Sequence, residues 1–336
     1  MVYFGIAISI ISSFLIIFYK NRIAEILGIY DNPNSTRKLH IKPVPAIGGT
    51  VLISSLILFF VVNIITDPNN LSKYLLLILF FSVSYLIGLF DDKQKLNINI
   101  RIILIISNSL FLLIIDPSLT ISKIYINNPN SVILVNNYFL SYLITIFCIF
   151  LLYNAINFLD GVNGNLILLS IFWISIFTSK SSLYPSISLI LIITLLICLI
   201  YNLRNEIFMG NSGSLLVSFI IAYLFLSSHG NEYKIFFSEE IVVLFLIPGL
   251  DMMRLFFLRL ANNKSPFQGD QNHLHHLLLR KLKKGIFIQY FVISLIPYIF
   301  YIFANINIFL LLVLVLLYFL TIIKFLSGFS YNNKIL

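Results

Sequence analysis

Apolar residues fill this chain in long blocks, and the polar residues gather between them. A helix that crosses about 30 Å of hydrocarbon needs about 20 largely apolar residues at about 1.5 Å each. Blocks of that length predict eleven helices, at 2–19, 46–66, 72–90, 98–115, 138–156, 164–180, 183–201, 214–230, 240–258, 286–304 and 306–326. The block at 240–258 carries Pro248, Gly249, Asp251 and Arg254, which predicts a helix broken near the Pro-Gly pair. The first block has no convincing cleavage site and is expected to remain as a helix. Between the fourth and fifth blocks, 120–135 alternates around Asn127-Asn128-Pro129-Asn130. That segment reads either as a short outer β-hairpin or as an irregular loop.

Composition strengthens this picture. Of 336 residues, 59% are hydrophobic and 10% charged, against about 45–50% and about 25% in soluble domains. Mean hydropathy is +0.99. The pattern is that of an all-α polytopic integral membrane protein and excludes an ordinary soluble enzyme. Cys148 and Cys198 lie inside apolar blocks and offer neither a disulfide framework nor a CxxC metal spacing.

The net charge of +9 matters through its distribution. With the N-terminus outside, 18 of the 22 Lys and Arg fall on the inner side, as the positive-inside rule requires. The C-terminus is then cytoplasmic, and no nucleic-acid partner is expected. The inner loops become 20–45, 91–97, 157–163, 202–213 and 259–285.

Five polar islands lie on that inner side. The first, from Asp31 to Gly49, holds Arg37, Lys38 and His40 among three prolines. It suits a phosphate or lipid headgroup, or serves only to set topology. The second is Asp91-Asp92-Lys93; adjacent carboxylates at a membrane boundary call for a cation or a solvated helix end. The third places Asn154, Asn157 and Asp160 on one helical face. Such oxygens suit Mg²⁺ or an interhelical hydrogen-bond strip. The fourth, FMGNSGS at 208–214, opens a helix and reads as an anion site or a plain N-cap. The fifth runs from Asp251 and Arg254 to His273, His275 and His276. Its histidine spacing does not put all three rings on one face, which argues against zinc. The basic run at 280–284 reads as an anchor to anionic lipid. Together the islands form the inventory for an anionic substrate with a metal at a cytoplasmic-face active site. A permease or a membrane scaffold are the competing classes, and a permease more often sets its polar groups near mid-membrane.

The motifs RKLH and PVPAIGG (37–49), Asp91-Asp92, NAINFLDGVNG (154–164), FMGNSGS (208–214) and SPFQGDQNHLHH (265–276) occur in that order. The set resembles the polyprenyl-phosphate N-acetylhexosamine-1-phosphate transferase family, glycosyltransferase family 4. The resemblance runs from Asp31 to His276. It implies a single transmembrane transferase domain over 1–336 in the inner membrane. It also implies transfer of a HexNAc-1-phosphate from a UDP-sugar to undecaprenyl phosphate, with release of UMP and with Mg²⁺, or Mn²⁺, as cofactor. The last motif is similar to the branch that uses UDP-GlcNAc; UDP-GalNAc, a deoxy-HexNAc or the MurNAc-pentapeptide nucleotide are the alternatives. By the same resemblance Asp91 or Asp92 is the base or lipid-phosphate positioner, and Asp160 the metal ligand. Asn154, Asn157, His273, His275, His276, Arg37, Lys38 and His40 contact substrate. A homodimer is compatible with the pattern. This chain departs from the family at Asn211, where the family usually has a metal-associated Asp. An active enzyme with altered metal dependence is expected, with a degenerate homologue as the other reading.

Overall fold

The computed structural model describes residues 2–33, 42–127, 131–229, 235–265, 271–282, 285–304 and 307–332. In order, the elements are α1 (Val2–Phe18), α2 (Lys20–Leu27), β1 (Tyr30–Asp31), β2 (Val44–Pro45), α3 (Gly48–Thr66), α4 (Leu71–Gln94) and α5 (Ile98–Ile115). There follow β3 (Lys123–Ile126), β4 (Ser131–Leu134), α6 (Tyr138–Leu159), α7 (Asn165–Lys180), α8 (Pro185–Leu203) and α9 (Gly210–His229). The last are α10 (Ser238–Leu244), α11 (Leu246–Ala261), α12 (Leu274–Leu282), α13 (Ile286–Ala304) and α14 (Ile308–Asn332).

Among the described residues, eight helices are long and apolar enough to cross a membrane, or up to ten if each of two bent pairs is one span. Helix α7, at 16 residues, is shorter than such a span. The bent pairs show what apolar block lengths do not. Helices α1 and α2 meet at 77°, and α10 and α11 at 68°. The second break falls at Phe245, ahead of Pro248, whereas the sequence places it near the Pro-Gly pair. Proline is tolerated in a first helical turn, where its missing N–H would have no intrahelical partner, so α11 starts before Pro248 and carries it.

Helix α9 is the hub of the bundle. Every residue from Ser212 to His229 is buried, as expected of a helix apolar on all sides. It packs against α4, α3, α6 and α7. At the periphery, α14 exposes Phe309, Leu310, Val313, Leu317 and Leu320, a surface suited to lipid tails.

The ends of α9 define the two ends of the molecule. At its C-terminal end, His229 Nε2 lies 2.8 Å from the Lys123 carbonyl and 3.2 Å from Ser238 Oγ. Strands β3 and β4 pair antiparallel there, with Ile124 opposite Ile133. Buried Glu240 accepts from Tyr298 and from Lys180 at the same end. At the N-terminal end of α9, β1 and β2 pair Tyr30 with Pro45 and Asp31 with Val44. Phe208 N–H donates to the Pro45 carbonyl at 2.9 Å, and Gly48 N–H donates to the Phe208 carbonyl at 2.9 Å. The entrance to α9 is thereby stitched to the entrance to α3.

Candidate active site

Asp91 and Asp92 occupy the last turn of α4. Neighbours on a helix point about 100° apart, and the two carboxylates diverge accordingly. Asp91 turns to α5: Oδ2 accepts from Arg101 Nη1 at 2.9 Å, and Oδ1 accepts from the Leu96 N–H at 2.9 Å. Asp92 turns to α9: Oδ1 accepts from the Asn211 N–H at 2.8 Å, and Oδ2 from the Ser212 N–H at 2.9 Å. A carboxylate on the free N–H groups of a first helical turn is a favourable pairing of charge and dipole. The approach is close enough that Gly88, one turn before Asp92, has no room for a side chain. A Cβ there would lie 2.4 Å from the Asn211 carbonyl oxygen and from Ser212 Cα.

Asp160 caps the C-terminus of α6 and meets the same helix start. Its carboxylate accepts from the Gly210 N–H, and burial, Asp92 and Asp31 push its pKa well above the ordinary carboxylate range. Of the 154–160 stripe, Asn157 joins it there. Asn157 Oδ1 accepts from Ser214 Oγ at 3.4 Å, and Nδ2 donates to Tyr153 Oη at 3.1 Å. Asn154 instead donates to the Phe150 carbonyl of its own helix at 2.8 Å. The next turn is clamped by an amide network absent from the sequence-based reading. Asn163 Nδ2 donates to Asn205 Oδ1 at 2.8 Å, and Asn202 Oδ1 accepts from the Gly164 N–H at 2.8 Å.

The histidine motif arrives from the other side. His273 Nδ1 lies 3.0 Å from Asp251 Oδ2, and the Leu274 N–H donates to the same oxygen at 3.0 Å. Arg254 Nη2 donates to Asp251 Oδ1 at 2.8 Å. His275 sits against the Asp160-Gly161 turn: a Cβ on Gly161 would lie 2.5 Å from its Nε2. Burial, His276 and His273 hold the His275 pKa well below the ordinary histidine value, so this ring is neutral near pH 7. The His275 and His276 ring centroids are 4.3 Å apart. His273 Nε2, both His275 ring nitrogens and Tyr290 Oη are buried with no hydrogen-bond partner among the described residues. In the basic run, Arg280 donates to the Gln271 carbonyl, and Lys281 lies over the Phe325 ring. Arg37, Lys38 and His40 lie outside the described residues.

The structure thus gathers Asp92, Asp160, Asn157, Asn211, His275 and His276 around the start of α9. Asp91 faces α5, and Asn154 bonds within α6. Arg101, Asn202 and Asn205 are contributors that sequence reasoning passed over, while Asp31 and Asn163 stood in its motifs without an assigned role. A lone Arg at the start of an apolar block, ten residues after Asp91, was the available signal for the first.

The donor chemistry suits a hard divalent cation. Asp160 is partly exposed and repelled by two other carboxylates, a repulsion that a cation relieves. Among the described residues no three His, Cys, Asp or Glu side chains form a closed metal cage. Mg²⁺ commonly binds through one or two carboxylates and completes its shell with water and substrate phosphate, and Asp160 fits that open pattern.

Fold and site define a polytopic membrane protein with carboxylates, amides and imidazoles converging at one end of its bundle. Comparison with known proteins gives the kinship: the family model for glycosyl transferase family 4 matches residues 74–229. It is 28% identical over 282 residues to the undecaprenyl-phosphate alpha-N-acetylglucosaminyl 1-phosphate transferase of Salmonella typhi, covering 79% of this chain and 73% of the relative. The Escherichia coli K12 protein of the same name matches with the same identity and coverage. A Bacillus subtilis protein named as a probable undecaprenyl-phosphate N-acetylglucosaminyl 1-phosphate transferase is 25% identical, over 81% of this chain and 75% of its own length.

Proposed function

We propose that this chain, a phospho-sugar transferase, moves N-acetylhexosamine 1-phosphate from a UDP-sugar to undecaprenyl phosphate and releases UMP. GlcNAc-1-phosphate is the group we favour, because the relatives named above carry that activity in their names. The observation that carries the reading is the convergence of Asp160 with the His275–Gly161 contact on the N-terminus of α9. That arrangement pairs a cation-seeking carboxylate with imidazoles suited to phosphate oxygens.

In phosphoryl transfer the protein's task is mostly positioning and charge neutralisation. The acceptor phosphate, with a second pKa of about 6, is largely ionised near pH 7 and needs no strong base. Asp91 and Asp92 then have supporting work. Asp91 holds the end of α4 on α5, and Asp92 holds the α9 entrance in register with α4. Asp160, with Asn211 close by, would hold Mg²⁺, which when bound neutralises charge on the diphosphate. His275 and His276 stand where the sugar nucleotide reaches the Asp160 turn. Arg37, Lys38 and His40 are proposed to meet the lipid phosphate. The site then faces the cytoplasm, with the N-terminus outside and the C-terminus inside the inner membrane, at the first membrane step of a cell-surface polysaccharide.

The test is UMP release by detergent-solubilised protein supplied with undecaprenyl phosphate and a panel of UDP-sugars. Release with UDP-GlcNAc that requires a divalent cation and is abolished by Asp160→Asn is expected. No release with any sugar at any Mg²⁺ or Mn²⁺ concentration would falsify the reading.

A further inference from the structure

Asp251 is the one acidic residue of α11, it is buried, and its carboxylate is fully committed. One oxygen takes Arg254; the other takes His273 Nδ1 and the Leu274 N–H. Arg254 also donates to the Asn272 carbonyl. These bonds fix the turn Asn272–Leu274, which opens α12, onto α11. An ionised carboxylate only accepts hydrogen bonds, so Nδ1 of His273 carries the proton. The ring cannot swing away. Phe158 lies 4.7 Å from it at 33°, and His275 lies 5.5 Å away, parallel to within 2°. What remains is Nε2, across the ring from Asp251. It belongs to a residue only 4% exposed and has no partner among the described residues. A buried polar atom without a partner is unfavourable. Here it stands beside Phe158, two residues before Asp160.

We propose that Asp251, braced by Arg254, is a positioning residue that fixes the tautomer and orientation of His273 so that Nε2 meets a phosphate oxygen of the sugar nucleotide. The proposal rests on the transferase reading above. Asp251 touches no substrate and acts through the imidazole. With both ring nitrogens protonated, the imidazole donates from Nδ1 to Asp251 and from Nε2 to an anionic oxygen.

Two measurements test it. The first is a double-mutant cycle on UMP release with Asp251→Asn, His273→Ala and the pair. Asp251→Asn is expected to lower kcat by about 10- to 100-fold, the range for partners that orient a ligand's imidazole. In the His273→Ala background it should add less than about twofold, because residues acting as a unit are not additive. Losses that multiply in the double variant overturn the proposal. The second is the ¹⁵N imidazole spectrum of histidine-labelled protein, with the His273 signal assigned by its loss in His273→Ala. Protonated Nδ1 in the wild type, perturbed in Asp251→Asn, is expected. A wild-type His273 with Nδ1 bare overturns the proposal even if Asp251→Asn fails to fold. Wild-type protein that releases no UMP defeats the transferase reading, while the spectrum still reports on the Asp251–His273 pair.

Discussion

Asp92 bonds to the backbone of Asn211, not to its side chain. The bond that seats α9 on α4 is therefore indifferent to the residue at 211. The position can exchange Asp for Asn without breaking this bond, and only the charge beside the start of α9 changes.

Asn211→Asp should then raise Mg²⁺ affinity. It adds a carboxylate to the neighbourhood of Asp92, Asp160 and Asp31, which already repel. The metal-free variant should melt below the wild type and gain more from added Mg²⁺. Thermal melts in chelator and in Mg²⁺, beside a Mg²⁺ titration of UMP release, read both effects. An unchanged half-saturating Mg²⁺ concentration would remove residue 211 from the metal site.

Asp91 and Arg101 should behave as a structural pair. Their side chains are 6% and 20% exposed, and stranding one partner of a buried pair costs about 3–5 kcal/mol. Asp91→Asn and Arg101→Met should each lower Tm substantially. The double variant should recover much of the loss and turn over substrate. A stable double variant with no turnover would return Asp91 to the reaction itself.

Asp160 makes the response to Mg²⁺ depend on pH. Its folded-state pKa is raised above the unfolded value, so the folded protein binds more protons from this group than the unfolded chain does. Stability of the metal-free protein therefore falls as pH climbs from the ordinary carboxylate range through the raised value. A cation offsets that penalty. The Tm gain from Mg²⁺ should grow as pH rises from the ordinary carboxylate range through the raised value and flatten in Asp160→Asn. Differential scanning fluorimetry across that range checks the slope.

Gly88→Ala should push α4 and α9 apart. The new methyl would fall 2.4 Å from two backbone atoms of α9, which cannot rotate away as a side chain would. Overpacking commonly costs about 1–3 kcal/mol, and this site lies at the upper end or beyond. A lowered Tm with reduced kcat is expected, since Asp92 moves with its helix. A variant that melts with the wild type would show that the two helices do not meet this closely.

Much of this architecture is legible in hydropathy. The polar islands fall between apolar blocks, and Asn157 and Asp160 lie beside the start of α9 that holds Asn211. What hydropathy does not carry is the neighbour each polar atom finds. Asp91 and Asp92 are identical in type and adjacent in sequence, yet they serve different helices because the helical turn separates their directions. The bend at Tyr19 follows no proline or glycine. Asp251 reads in sequence as one polar residue in a broken helix. Its pairing with a histidine 22 residues away exists only once α11 and α12 fold back on each other.

The bond between Asp92 and Asn211 spans 119 residues of chain, which sets an order of events during synthesis. The ribosome delivers Asp92 four helices before it delivers the N–H groups that receive it. Until then the acid stands at the end of α4 without the contact that defines it. An incomplete chain carries Asp92 but not the helix start that receives it. The contact between α4 and α9 thus forms late in translation, and a prematurely released fragment ending before α9 lacks it.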